Sequence, residues 1–228
     1  MAKEALEKRV ERLEAENKKL RHEMERAQAV VEITNLISRM QAYHTANRNE
    51  LMPALYAKKV PDVRLYWGEL GSWEGPDGPA KAGKTFEKMG TGGHAGMMAI
   101  HLMGNPLIEV AGDGKTARGI WVAAGMVANK REGQPTAMWE WNRYGIDFIK
   151  EDGQWKLWHH HVYPLFQVGW DQKWAEQFPR KAVGIKFSEE TKPDHPATPL
   201  DVFYSPDEEL PYIPVPEPYE TFDPRNMY

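Results

Sequence analysis

Three consecutive histidines follow a tryptophan near the middle of the chain, Trp158-His159-His160-His161. In a strand, two-residue periodicity puts His159 and His161 on one face and His160 on the other. Asp152-Gly153 just before them has the residue types of a tight hairpin turn. A two-residue turn there would set Leu157 opposite Phe148, His159 opposite Ile146 and His161 opposite Tyr144. That face is apolar near the turn and increasingly polar away from it, as in a pocket with a hydrophobic end and a chemical end. A His-x-His pair could also begin a metal site. It would need a third ligand, such as His94 or a carboxylate, and the spacing singles none out, so neither metal nor cofactor is expected. His101 sits where the glycine-rich interval Gly90–Gly96 gives way to a strand, and Tyr43-His44 lies on the helix ahead of the sheet. Imidazoles and phenols transfer protons near neutral pH when burial and neighbours tune them. Each taken alone reads equally well as a hydrogen-bonded structural residue; convergence on one hollow makes the case. The candidate catalytic residues are therefore His101, His161, Tyr43 and His159. His44, Trp67, Trp121, Tyr144 and Phe148 would hold a planar aromatic substrate.

The elements that must position these groups fall into three parts. Residues 1–38 read as a heptad helix, with Leu6, Leu13, Leu20 and Ala27 at d and Val10, Asn17, Met24 and Val31 at a. Arg9 with Glu14 and Glu16 with Arg21 have the g-to-e′ spacing of a parallel coiled coil; Asn17 at an a position favours two strands, and the homo-oligomer expected from this helix and the C-terminal arm is a dimer or a trimer. The alternative is an amphipathic helix lying on its own domain. Residues 39–174 begin with more helix, with Pro53 starting a new turn, and then change to strands. Val63–Trp67 is rich in β-formers and is punctuated by Gly68, Gly71 and Gly75. Asn105–Val110 and Lys115–Ala124 flank Gly112-Asp113-Gly114, while Ala137–Lys150 and Gln154–Tyr163 flank Asp152-Gly153. Helices followed by hairpins predict an α+β domain, one curved antiparallel sheet wrapped over helices. Residues 175–228 hold ten of the 17 prolines and should be extended and irregular. Phe203, Tyr204, Tyr212, Ile213 and Tyr219 would tie this arm to its own domain or to a neighbouring subunit.

Composition removes several function classes. The 228 residues carry a net charge of −4 and no cysteine. That charge does not suit nucleic acid or an anionic membrane, and thiolate chemistry and Cys-containing zinc sites are excluded. No run approaches the roughly 18 apolar residues of a membrane span. Lys3 and Lys8 alternate with Glu4, Glu7 and Glu11, which is not a signal peptide, so a cytoplasmic location is expected. No phosphate-binding loop, dinucleotide fingerprint or nucleophile elbow occurs.

The element order, together with Leu65–Gly75 (LYWGELGSWEG), Ile108–Trp121 (IEVAGDGKTARGIW) and Tyr144–Tyr163 (YGIDFIKEDGQWKLWHHHVY), resembles the SnoaL-like branch of the nuclear transport factor two-like superfamily over roughly residues 30–170. The resemblance implies a cone-shaped α+β barrel with its active site in the hollow. Relatives include scytalone and bile-acid dehydratases and polyketide cyclases. It places His101 where the dehydratases carry their base. Their second strand histidine falls on Trp121, so its role is lost or passes to His159 or His161. Their helical Tyr-Asp pair falls near Thr45-Ala46, with Tyr43 and His44 close by, so the aspartate is missing. The N-terminal helix and the Pro/Tyr-rich tail (EPYETF, Glu217–Phe222) are similar to a subgroup of sphingomonad diarylpropane lyases. That implies a cofactor-free lyase that takes a lignin-derived diarylpropane through a quinone methide to a stilbene with release of formaldehyde. The alternatives are a dehydratase or isomerase of a polycyclic, steroid-like substrate, a non-catalytic aromatic-ligand module, and a metal enzyme built on His159 and His161.

Overall fold

From residue 2 to residue 45 the chain has no glycine or proline and is rich in good helix formers. It forms one unbroken helix, α1 (Ala2–Thr45), which runs through the expected boundary at residue 38. The helix closes where Asn47 takes φ 54°. The Arg48 amide donates to the Tyr43 carbonyl at 2.8 Å and the Asn47 amide to the His44 carbonyl at 2.9 Å, a Schellman motif with asparagine in the left-handed position. The computed structural model describes residues 2–89, 96–131, 134–173, 175, 187–197, 204, 205, 207 and 209–228. His94, Trp174 and Phe203 lie outside them. No described helix is long and apolar enough to cross a membrane.

After α1, a 3-10 helix at Asn49–Leu55 contains Pro53. The next elements are β1 (Arg64–Trp67), β2 (Gly71–Glu74), α2 (Gly78–Met89), β3 (Met98–Met103), β4 (Leu107–Val110), β5 (Thr116–Arg131), β6 (Gln134–Glu151) and β7 (Gln154–Gly169). Helix α2 was not among the sequence expectations. The strands form one seven-stranded sheet in the order β2-β1-β7-β6-β5-β3, with β4 also paired to β5. The sheet is mixed rather than wholly antiparallel, because β1 lies parallel to β7, Arg64 opposite His159 and Tyr66 opposite His161. Both glycine-aspartate turns are hairpins. Asp152 and Gly153 have φ of 50° and 76°, the pair of positive values a type I′ turn requires.

The stripe Ala29, Ile33, Ile37 and Met40 of α1 is buried against the sheet in a core that includes Val63, Leu65, Trp121, Ile146, Phe148 and Leu157. The arm beyond β7 folds back on its own chain. The Ser72 amide donates to the His195 carbonyl, the Tyr204 amide to Leu165, and the amides of Gly112 and Asp113 to Tyr219 and Glu220. Its last residues cover the outer sheet face. There Asp147 Oδ2 accepts from the Tyr228 amide at 3.0 Å, and the Arg118 guanidinium lies 4.4 Å from the centroid of the Tyr228 ring.

Two bulges in β7 decide which side chains face inward. Leu157 opposes Phe148 as expected, but His159 opposes Asp147, His160 opposes Ile146 and His161 opposes Gly145. Trp158 is the extra residue. A slip of one residue sends every following side chain to the other face. His160 therefore joins Leu157 on the concave side, and His159 and His161 go to the convex side. A second shift at Leu165 pairs Gln167 with Glu140 and restores odd-numbered residues to the inside.

Candidate active site

The concave face of the sheet, α1, α2 and the 3-10 helix enclose a hollow lined by Met40, Gln41, His44, Met52, Tyr56, Leu65, Trp67, Phe86, Tyr144 and His160. Its free volume is about 30 Å³, room for a water or so. Helix position places His44 at the last turn of α1, where the closing motif fixes it. Strand position places the rest.

At one side, three strands put His101, Gly125 and Glu140 in a single row. His101 and Glu140 are on β3 and β6, which do not touch. Their side chains meet over the intervening glycine, and His101 Nε2 is hydrogen bonded to Glu140 Oε1. A Cβ at Gly125 would lie 2.6 Å from Glu140 Cγ and 2.9 Å from His101 Cδ2, so the pair exists because residue 125 has no side chain. Burial pushes the Glu140 carboxyl up. The hydrogen bond and charge of His101, then the charge of His44 and the hydrogen bond from Gln167, outweigh it and hold Glu140 below the usual range. Gln167 Nε2 donates to the other carboxylate oxygen at 2.9 Å. A carboxylate can only accept, so His101 donates to it through Nε2–H and leaves Nδ1 as its second ring nitrogen. That Nδ1 is buried with no partner among the described residues. The His44 ring lies 5.0 Å from that of His101, centroid to centroid. Burial, then the neighbouring His101, lower His44 to a pKa of about 4, so it is neutral near pH 7. His44 Nδ1 faces Asn49 Oδ1 at 3.2 Å, which assigns the proton to Nδ1 and the lone pair to Nε2.

Across the hollow, Tyr56 Oη and His160 Nδ1 are 2.6 Å apart. Burial, then Tyr144, push the Tyr56 phenol far above its usual range, so Tyr56 is the donor. Burial, then His161, lower His160 to about 3. A neutral His160 that accepts at Nδ1 carries its proton on Nε2, and this buried Nε2 has no partner among the described residues. Tyr144, whose phenol burial also pushes up, stands with its ring 5.8 Å from that of His160. The polar lining of the hollow thus includes His44, with an acceptor nitrogen, and His160, with a donor, and the His101–Glu140 pair stands beside His44.

The residues singled out from the sequence divide accordingly. His101, His44, Trp67 and Tyr144 come together at or beside the hollow. Trp121 and Phe148 also face inward, but they pack on each other as core, ring centroids 6.0 Å apart. Tyr43 points elsewhere. It lies one helix turn from Arg39, in a separate groove with Glu32, Leu36, Leu55 and Trp155, because position 43 is about 100° around the helix from position 44. His159 and His161 are on the convex face. His159 is buried, stacked on Trp158 and bonded through Nδ1 to Asp147 Oδ2 at 2.9 Å. His161 is stacked on Tyr163 and set edge-on to Tyr66. They share no third ligand: among the described residues, no three His, Cys, Asp or Glu side chains gather as a metal site. Sequence reasoning missed Glu140, Tyr56 and His160. Glu140 was within reach, because the alternation Phe148, Ile146, Tyr144 continues through Asn142 to Glu140.

Solved structures share this architecture. LinA aligns with a TM-score of 0.56 at 13% identity, covering 67% of this chain and 96% of that one. A provisionally assigned scytalone dehydratase from Novosphingobium aromaticivorans aligns at 0.53 and 18% identity, over 69% and 97%. The hexachlorocyclohexane dehydrochlorinase LinA-type3 from Novosphingobium barchaimii aligns at 0.53 and 13%, over 66% and 96%. At such identities the likeness establishes the fold. No curated protein sequence matches the chain significantly. The match that takes in the second half of α1, the lining of the hollow and the three histidines of β7 is to the SnoaL-like domain, over residues 25–161, and the chain belongs to that family.

Proposed function

We propose that this protein is a cofactor-free acid–base lyase acting on a para-hydroxylated aromatic substrate of the diarylpropane class. The observation that carries the reading is the buried His101–Glu140 dyad, with a free imidazole nitrogen, beside an apolar hollow whose far side presents a proton donor. LinA-type3 is named a dehydrochlorinase and the Novosphingobium aromaticivorans neighbour a scytalone dehydratase, both elimination chemistries on this fold. In this chain, His160 Nε2–H, backed by Tyr56, protonates the leaving benzylic hydroxyl. Tyr56 passes its own proton to His160 Nδ1 in the same step and takes up the proton that the substrate's phenol gives up, water departs and a quinone methide remains. His101 Nδ1, with its cation stabilised by Glu140, then takes the proton of the terminal hydroxymethyl group. The carbon–carbon bond breaks, formaldehyde leaves, and the electron pair forms the stilbene double bond and restores the aromatic ring. The phenolate oxygen then recovers its proton from the protonated His101, which returns Nδ1 to its starting state. Each positioned acid or base contributes about 10²–10⁴-fold.

Ligand pockets usually have roughly 300 Å³ or more, so an aryl ring enters this hollow only when side chains move. Met52 on the 3-10 helix and Phe86 on α2 are the ones to swing aside, the unbranched methionine most readily. The test is incubation of the full chain with a 4-hydroxylated diarylpropane diol in the presence of chelator. Stilbene absorbance should rise with formaldehyde in equal amount, and His101→Ala or Glu140→Gln should lower the rate at least 10²-fold. Water loss without a one-carbon fragment would assign a dehydratase instead. Binding without turnover would assign a ligand-binding module. Turnover that survives His101→Ala refutes the dyad's role.

A further inference from the structure

The amino-terminal half of α1 has an apolar face that nothing among the described residues covers. Leu6, Val10, Leu13, Leu20, Met24 and Val31 are between 45 and 63% exposed, in a helix whose other side is firmly docked. His22 Nε2 reaches the Gly112 carbonyl at 2.6 Å, and the Arg26 guanidinium donates to the Val110 carbonyl at 2.8 Å. Ala29 and Ile33 are buried behind them. Two residues along a helix is a turn of about 200°, so buried Ala29 and exposed Val31 lie on opposite sides. In heptad terms the domain holds the c and f positions, and the a and d positions point away. A helix lying on its own domain would bury that a/d seam; this one buries the reverse face.

We infer that the seam is the surface on which a second copy of this chain docks, as a parallel, in-register, two-stranded coiled coil with the two domains hanging on its outside. The spacing 6, 10, 13, 17, 20, 24, 27, 31 alternates four and three across about four heptads, which suits a partner helix of the same pattern. Parallel pairing brings Arg9 opposite the partner copy's position 14, a glutamate, and Glu16 opposite position 21, an arginine. By symmetry each match occurs twice. An antiparallel pair would lose these matches. Valine at a with leucine at d, and an asparagine at position 17 facing its own counterpart, select two strands. The seam ends where it should: the next a and d positions, Thr34, Ser38 and Gln41, are polar. Because the c and f faces carry the domains, two copies meet along the seam without collision. The same helix carries His44 in its last turn, so the dimer axis and the hollow are joined by one continuous element.

The experiment uses the full chain at micromolar concentration in sedimentation equilibrium. The wild type should be a dimer. The double substitution Leu13→Glu with Leu20→Glu should give a monomer whose β-sheet circular dichroism is unchanged. Because the chain has no cysteine, Leu6→Cys alone gives a clean second reading, with most of the protein cross-linked as a covalent dimer on mild oxidation. A parallel, in-register pair brings the two copies of position 6 together, whereas an antiparallel pair over the same seam would set them roughly 37 Å apart. A monomeric or trimeric wild type, a dimer that persists in the double variant, or a failure of Leu6→Cys to cross-link would each overturn the proposal.

Discussion

Placing one methyl group at Gly125 should disconnect the dyad without touching either of its members. The Cβ of Gly125→Ala would lie 2.6 Å from Glu140 Cγ and 2.9 Å from His101 Cδ2, whereas ordinary van der Waals contact begins near 3.4 Å. Glu140 must therefore retreat by about 0.8 Å and His101 by about 0.5 Å, in opposing directions, since the methyl stands between them. Neither can do so cheaply. Glu140 is tied to Gln167, and both backbones are fixed in ladders with β5. Overpacking of this kind costs about 1–3 kcal/mol of stability, and a misplacement near 1 Å at a reacting group costs about 10²-fold in rate. The assay is kcat for formaldehyde release beside urea unfolding, with proton NMR of the imidazole region as a readout independent of substrate. The wild type should show a downfield His101 Nε2–H resonance, and Gly125→Ala should lose it while remaining folded. In a Glu140→Gln background the same methyl should cost little further rate, because the interaction it breaks is already gone. A Gly125→Ala protein that keeps the resonance, or losses that add in the double variant, would refute the argument.

The bulge at Trp158 makes a parity prediction: His160→Ala should lower turnover by about 10²-fold or more, whereas His161→Ala, on the convex face, should leave kcat within a factor of a few. Acid should destabilise the fold through His44 and His160, whose folded pKa values, about 4 and about 3, lie below the ordinary 6.5. The unfolded chain binds more protons in that interval, so their contribution is whole above pH 6.5 and declines as pH falls toward 4. The slope is roughly 1.4 kcal/mol per pH unit for each histidine; urea midpoints across that range should flatten by about half in His160→Gln. On the outer face, Asp147 accepts from His159, Arg118 and the Tyr228 amide. Asp147→Asn should therefore speed hydrogen exchange at Tyr228 and expose the 222–228 segment to protease.

Local chemistry was legible in the amino-acid sequence wherever a few neighbouring residues settle the matter. The absence of glycine and proline made α1, the heptad marked its outward seam, and Asp152-Gly153 made the turn whose positive φ values few other pairs tolerate. His101 was legible because it lies in the strand that follows a glycine interval. What needed the tertiary structure was everything that depends on counting along two strands at once. One extra residue, Trp158, reverses the pleat, so His160 rather than His159 and His161 enters the hollow. No periodicity within β7 alone reveals it, because a bulge is defined only against the partner strand. His101 and Glu140 are 39 residues apart and become neighbours only across Gly125, through two strand registers. Tyr56 reaches His160 because the chain at Tyr56 forms a parallel bridge to Leu157 of β7, a pairing that no hairpin turn announces. Alternation is a property of one strand; a site assembled from four elements is a property of how they are set side by side.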